Sequence, residues 1–339
     1  MEHDGLRPSN AQRHFAVQAP MRTYACLLTA ALSLSAAPLR SQAPSAPTVT
    51  VVSGSTADGR ATDLWLAILR RRLSPAAYDS VAPLVRPRLP EEQAWAASIG
   101  ARAQAWPTEV APLARLFPGL PSRPVQVVLG NRGAEDAFTH DSLTIGFDLA
   151  ALVRAYGPAS GADTPERLDR FFRHEVVHTL QKRWLARHPF PVGGPMDMAL
   201  LDIWLEGTGN YFSLSRRWYP GPDGNPAPLS ARTLATLEPR FVGRMAALAC
   251  ADPAGALPLL ADLSAGPFDQ KWGALPAALW LLAEQGADSA ALRRFVADGP
   301  TGVWQLAQRH LPAALADSLA RTRERAAACS VTRRPAPPG

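Results

Sequence analysis

The sequence predicts an α+β fold that is mostly helical, with a small β-sheet beside one long helix and a helical C-terminal subdomain. Three observations carry this. Strand patterning is strongest in the β-branched run Val125-Gln126-Val127-Val128-Leu129, closed by Gly130, and in the alternating Ser142-Leu143-Thr144-Ile145-Gly146-Phe147. Apolar residues recur at helical spacing through most of the remaining chain. Between the strands and the C-terminal helices, Thr164-Pro165-Glu166 reads as a helix start: a capping hydroxyl, proline at the first position and acid in the first turn.

Taken in order, residues 44–60 read as a linker ending in a short strand. Helices are expected at 63–73, at 90–105 behind Pro90-Glu91-Glu92, and at 108–116, and nothing in this N-terminal third demands chemistry. Residues 131–136 form a turn-rich loop between the two strands. The pair reads equally as a plain hairpin under the core or as a small sheet whose edge accepts an extended peptide. The long helix runs from 164 to about 187, where Pro189 stops it, and the next covers 196–217 after a Pro- and Gly-bearing loop at 191–195. From 229 onward helices are expected near 230–250, 254–264, 270–285, 288–297, 301–308 and 311–328. The chain thus divides into a processing segment 1–43, a helical region 44–123, a core 124–217, a helical subdomain 218–330 and a disordered tail 331–339.

Net charge is +6, but the basic residues are scattered among acidic ones, and Arg70-Arg71-Arg72 is the longest run. No basic stripe interleaved with aromatics exists, which excludes nucleic-acid binding. Met21-Arg22, an apolar run from 24 to 37, and the small residues up to Ala43 have the layout of a secretory signal peptide, so the mature chain is expected in the periplasm or outside the cell. The most apolar later segment, 273–283, is too short for a membrane span of about 20 residues. Removing the signal leaves Cys250 and Cys329, which read either as a disulfide or as two buried thiols.

The chemistry centres on His174-Glu175-Val176-Val177-His178. Residues four apart share a helix face, so His174 and His178 can present two imidazole nitrogens to one metal ion. Glu175 lies about 100° round the helix, where it can act as the general base on a metal-activated water. The cysteines are too few and too far apart for a closed structural site. A third ligand is needed. Gln181 and Trp184 exclude the pattern that takes Gly and His there, and Asp197 or Asp202 has no supporting motif. Glu206 is the stronger candidate, the only charge between Asp202 and Arg216, in Ile-Trp-Leu-Glu-Gly-Thr-Gly-Asn-Tyr-Phe. Left unpaired in that apolar stretch it would cost several kcal/mol, at roughly the magnitude known for buried charges, and coordination removes that cost.

On His174, Glu175, His178, Glu206 and Gly207, the region 124–217 resembles the gluzincin superfamily of zinc metallopeptidases, and looks closest to poorly characterised bacterial members. The resemblance implies one zinc ion held by His174, His178 and Glu206, with Glu175 as base, a two-helix site beside a small sheet, and peptide or protein substrates. Asn210, one turn after Glu206, is a candidate to accept the second N–H of a ligand histidine. Gly207 and Gly209 are expected to let the two metal-bearing helices approach closely. Such enzymes also use a Tyr or His to stabilise the oxyanion; Tyr211, Tyr219 and His310 are the candidates here, with Lys271 a weaker one. The rival expectation is a non-catalytic, zinc-binding or scaffold protein of the envelope with a degenerate peptidase fold.

Overall fold

The computed structural model describes residues 47–133, 135–214, 228–288 and 290–332. The expected signal segment, Tyr219 and the tail from 333 lie outside them. The α+β, mostly helical class is observed. Strand β1 (Val49–Ser53) is followed by helices α1 (Asp63–Arg72), α2 (Pro75–Val81), α3 (Pro90–Ala103) and α4 (Trp106–Ala114). Then come β2 (Val125–Gly130), β3 (Ala137–Thr139), β4 (Thr144–Asp148) and α5 (Leu149–Tyr156). The long helices α6 (Thr164–Leu185) and α7 (Pro195–Ser213) follow, and α8 (Pro228–Leu248), α9 (Pro253–Leu260), α10 (Ala274–Ala287), α11 (Ala291–Asp298), α12 (Gly302–His310) and α13 (Ala313–Thr332) complete the chain.

The sheet order is β1-β2-β4-β3. The hairpin expected from residues 125–147 is not formed: β2 and β4 run parallel, and β1 joins β2 in parallel as well. The reason is a third strand between the expected loop and the second expected strand. Ala137-Phe138-Thr139 turns back against β4 in antiparallel register, Phe138 opposite Gly146, and becomes the outer edge. The chain can therefore enter β4 in the same direction as β2.

Helix α6 is held against this sheet by its apolar side. Leu168, Phe172 and Val176 are buried, and Phe172 stacks on Trp106 of α4 with ring centroids 4.2 Å apart. Burying such a ring contributes about 2–3 kcal/mol. Bidentate pairs from Arg102 to Asp169 and from Arg173 to Glu109 fix α3 and α4 on α6 at 2.7–3.1 Å. The helix start differs in detail from expectation: Asp163 occupies the cap, Thr164 is already helical, and Asp163 pairs with Arg167 one turn on. One large core draws on Trp95, Phe172, Trp204, Trp272 and Trp304, and so on every stretch of the chain from α3 onward. Cys250 and Cys329 form a disulfide joining the end of α8 to α13, which decides between the two readings of those cysteines. No helix among the described residues is long and apolar enough to cross a membrane.

Candidate metal centre

Helices α6 and α7 pack side by side, and the polar stripe of α6 meets one stripe of α7. His174, His178 and Glu206 converge there, with one ligand atom of each within 4.8 Å of the others, a group that could hold a metal ion. The two Nε2 atoms lie 2.9 Å apart, and Glu206 places Oε2 3.6 Å from that of His174 and Oε1 3.6 Å from that of His178. Donor atoms around a tetrahedral zinc stand about 3.3 Å apart for bonds of about 2 Å. The carboxylate separations fit that spacing and the two nitrogens sit slightly inside it. All three side chains are 12–18% exposed, so the group is screened yet reachable.

The tautomers are set by neighbours that the sequence reading missed. Gln181 is fully buried, and its Nε2 donates to the carbonyls of Trp204 and Leu205 at 3.2 Å. Its Oε1 must therefore face His178 Nδ1, 2.8 Å away, and an amide oxygen only accepts. Ser213 gives its own proton to the Gly209 carbonyl and accepts from His174 Nδ1 at 2.8 Å. With both Nδ1 atoms donating, both Nε2 lone pairs point at each other and at a carboxylate. Three acceptors converge without a built-in donor, and only a cation or a shared proton reconciles them. The electrostatics agree in direction. Burial opposes charge on all three, yet the paired histidines hold Glu206 down to about 2, and the Glu206 hydrogen bond carries His174 above the usual imidazole value despite its burial. Burial and the neighbouring His174 keep His178 below it.

Asn210 does not take the role expected of it. Its Nδ2 donates to the Glu206 carbonyl at 2.7 Å, one turn back, while Ser213 and Gln181 take the histidine N–H groups. The glycines divide the work differently too. A Cβ on Gly209 would lie 2.9 Å from His174 Cε1, so this residue permits the α6–α7 approach as expected. A Cβ on Gly207 would lie 2.8 Å from the Ala277 Cβ, so Gly207 serves contact with α10 instead.

Glu175 faces the other flank of α6 and is 8% exposed. The Thr139 hydroxyl, on edge strand β3, lies 2.8 Å from both its main-chain oxygen and its Oε2. Two cations attend it. Lys182 reaches the carbonyls of Thr139 and His140 at 3.3 and 3.4 Å, and burial lowers its pKa while Glu175 raises it. Arg72 stands over the Phe138 ring at 4.1 Å, pairs with Glu135, and is lowered to about 10 by burial against the pull of Glu175. Helix α1, expected to be free of chemistry, thus brings a charge to the site.

The other candidates fall into place. Lys271, just ahead of α10, is lowered by burial and raised by the carboxylates of Glu206 and Asp136, which places its charge beside the metal group. His310 is bonded to Glu284 at 3.1 Å and stacks on Trp280, near the far end of α10. Tyr211 packs edge-on against Phe212. Asp197 accepts from the Gly193 N–H at the start of α7. Asp202, one turn before Glu206, stays outside the ligand group and is pushed up to about 7 by burial and by the Glu206 charge. No family model, curated protein or solved structure matches the chain.

Proposed function

We propose that this chain is a zinc-dependent peptidase of the gluzincin type, with His174, His178 and Glu206 as ligands and Glu175 as the base. The observation that carries the reading is the convergence of two tautomer-locked Nε2 atoms and the Glu206 carboxylate on one point, with Glu175 adjacent on the same helix. A nitrogen- and oxygen-bearing trio without sulfur suits zinc in its three-ligand, catalytic form. When bound, zinc supplies Lewis acidity at an open coordination position.

The chain's own groups do the rest. Glu175 accepts the proton of the attacking water and returns it to the leaving amine. The Thr139 hydroxyl fixes the carboxylate for that task. The lysine ammonium at 271 is the cation nearest the Glu206 side, placed to offset negative charge developing on a substrate carbonyl. Strand β3 is the outer edge of the sheet and carries Thr139, so an extended peptide paired along it would lie against Glu175. The disulfide supports an oxidising compartment, in keeping with a secreted or periplasmic protein.

Glu175→Gln is the direct test. The variant should retain one zinc per chain by metal analysis and lose peptide hydrolysis by roughly 10²–10⁴-fold, the usual worth of a general base. Undiminished cleavage removes Glu175 from the mechanism. The second reading, a zinc-binding protein without catalysis, is favoured by His310, which is held by Glu284 near the far end of α10. Stoichiometric zinc with no turnover of any peptide in a broad library would select it.

A further inference from the structure

The stripe of α7 that meets α6 does not stop at Glu206. Positions 202, 206, 209 and 213 follow one another at helical spacing on one side of the helix. The last three each touch the histidines: Glu206 at 3.6 Å, Gly209 beneath the His174 ring, and Ser213 at 2.8 Å. Asp202 continues the line one turn towards the helix start, about 6 Å from Glu206 between Cβ atoms. It is half-buried and, among the described residues, makes no hydrogen bond or ion pair. Among the described residues its one charged neighbour is Glu206, another carboxylate. The site's cations are engaged elsewhere, Arg72 and Lys182 at Glu175, Lys271 at Glu206 and Asp136.

Like charges one turn apart destabilise a helix, and a screened carboxylate without a partner costs more again. Every other acidic group lining this region has a donor: Glu175 has Thr139, Asp136 has Tyr156 at 2.5 Å, and Asp197 has the Gly193 N–H. Among the described residues of this region, Asp202 alone is left for something that arrives from outside.

We propose that Asp202 receives a positively charged group of the substrate, an ammonium or guanidinium, and so sets the specificity of the site. The inference rests on the peptidase reading. One helical turn is about 5.4 Å, and an extended peptide advances about 3.3 Å per residue, so the cation belongs to a residue within two of the bond to be cleaved. It is either the α-ammonium of the substrate's first residue or the side chain of a Lys or Arg.

The experiment uses the zinc-loaded full chain and three probes: tetra-alanine with a free amino terminus, its N-acetyl form, and an N-acetyl tetrapeptide containing one Lys. Cleavage is read as kcat/KM, and binding by calorimetry on the Glu175→Gln chain. The wild-type chain should favour one cationic probe over N-acetyl tetra-alanine by about tenfold or more. Asp202→Asn should bring that ratio close to one, and Asp202→Glu should restore part of it, with zinc content unchanged in both. Preference for the free amine marks an aminopeptidase; preference for the Lys probe marks cleavage beside basic residues. Equal handling of all three probes by the wild type, or a preference that survives Asp202→Asn, overturns the proposal. Binding that keeps the preference without any cleavage upholds Asp202 and removes the peptidase reading; cleavage without preference does the reverse.

Discussion

Replacing Gln181 with Leu isolates the device that orients His178. The side chain is fully buried and makes three hydrogen bonds, one to His178 Nδ1 at 2.8 Å and two to the α7 carbonyls of Trp204 and Leu205 at 3.2 Å. Leucine has nearly the same volume, so the cavity contribution is small. Trp204 keeps the Thr208 hydroxyl as a donor, so its carbonyl is not orphaned. The His178 Nδ1–H is, at a cost of about 1–3 kcal/mol to the fold. The ring also loses its tautomer lock, and losing such a partner typically lowers metal affinity about 10–100-fold, or about 1.4–2.7 kcal/mol. Competition with a chromophoric chelator at neutral pH measures the affinity, and a thermal melt on the same sample confirms folding. A folded Leu variant that binds zinc as tightly as the parent would refute the claim that Gln181 orients the ligand. Gln181→Glu supplies the contrast. Its carboxylate still accepts from His178, but its second oxygen faces two carbonyls where the amide donated. Stability should fall while affinity holds or rises.

Other outcomes follow from the same geometry. Gly209→Ala places a methyl 2.9–3.1 Å from the His174 ring, so it should destabilise the chain by about 1–3 kcal/mol and weaken zinc binding, read by melting and by metal retention on dialysis. Reducing the Cys250–Cys329 disulfide, whose partners are 79 residues apart, should lower stability by up to about 4 kcal/mol in denaturant titration and leave zinc stoichiometry intact. Asp148 is fully buried, caps α5, and is raised by burial to about 7, as is Asp202 by burial and Glu206. A carboxyl raised in the folded state binds its proton more tightly there than in the unfolded chain. Its contribution is therefore greatest below the ordinary value near 3.8, falls as pH rises to about 7, and is level beyond. Asp148→Asn should flatten roughly half of that slope in melts between pH 4 and 7.5; an unchanged slope would show that this carboxyl is already ionised at low pH.

The local parts of this protein were legible and the long-range parts were not. The spacing of His174 and His178 and the isolation of Glu206 in an apolar stretch were enough to bring these three side chains together, because each depends only on helix periodicity and the cost of a buried charge. Gln181 and Ser213 were within the same logic, one turn from His178 and two from Glu206, but their types carry no charge to draw notice. Thr139 and Arg72 could not be read at all, since strand β3 and helix α1 reach Glu175 only through the fold. The hairpin expectation failed at a strand of three residues, too short for its alternation to register between Asp136 and His140. Asn210 failed because its amide found a nearer carbonyl on its own helix.

Helix α7 has almost no clearance on two of its flanks. Ala277 blocks it beside Gly207, the His174 ring blocks it beside Gly209, and position 206 is the residue just ahead of both stops. The reach of Glu206 is thereby a matter of shimming: among the described residues the C-terminal helices add no side chain to the His174, His178 and Glu206 group, yet the thickness of α10 at one methyl group bears on how far the carboxylate projects. Tolerance at the metal group is borrowed from packing a full helix diameter away, so drift in residues that look like ordinary filler would surface as altered ion selectivity.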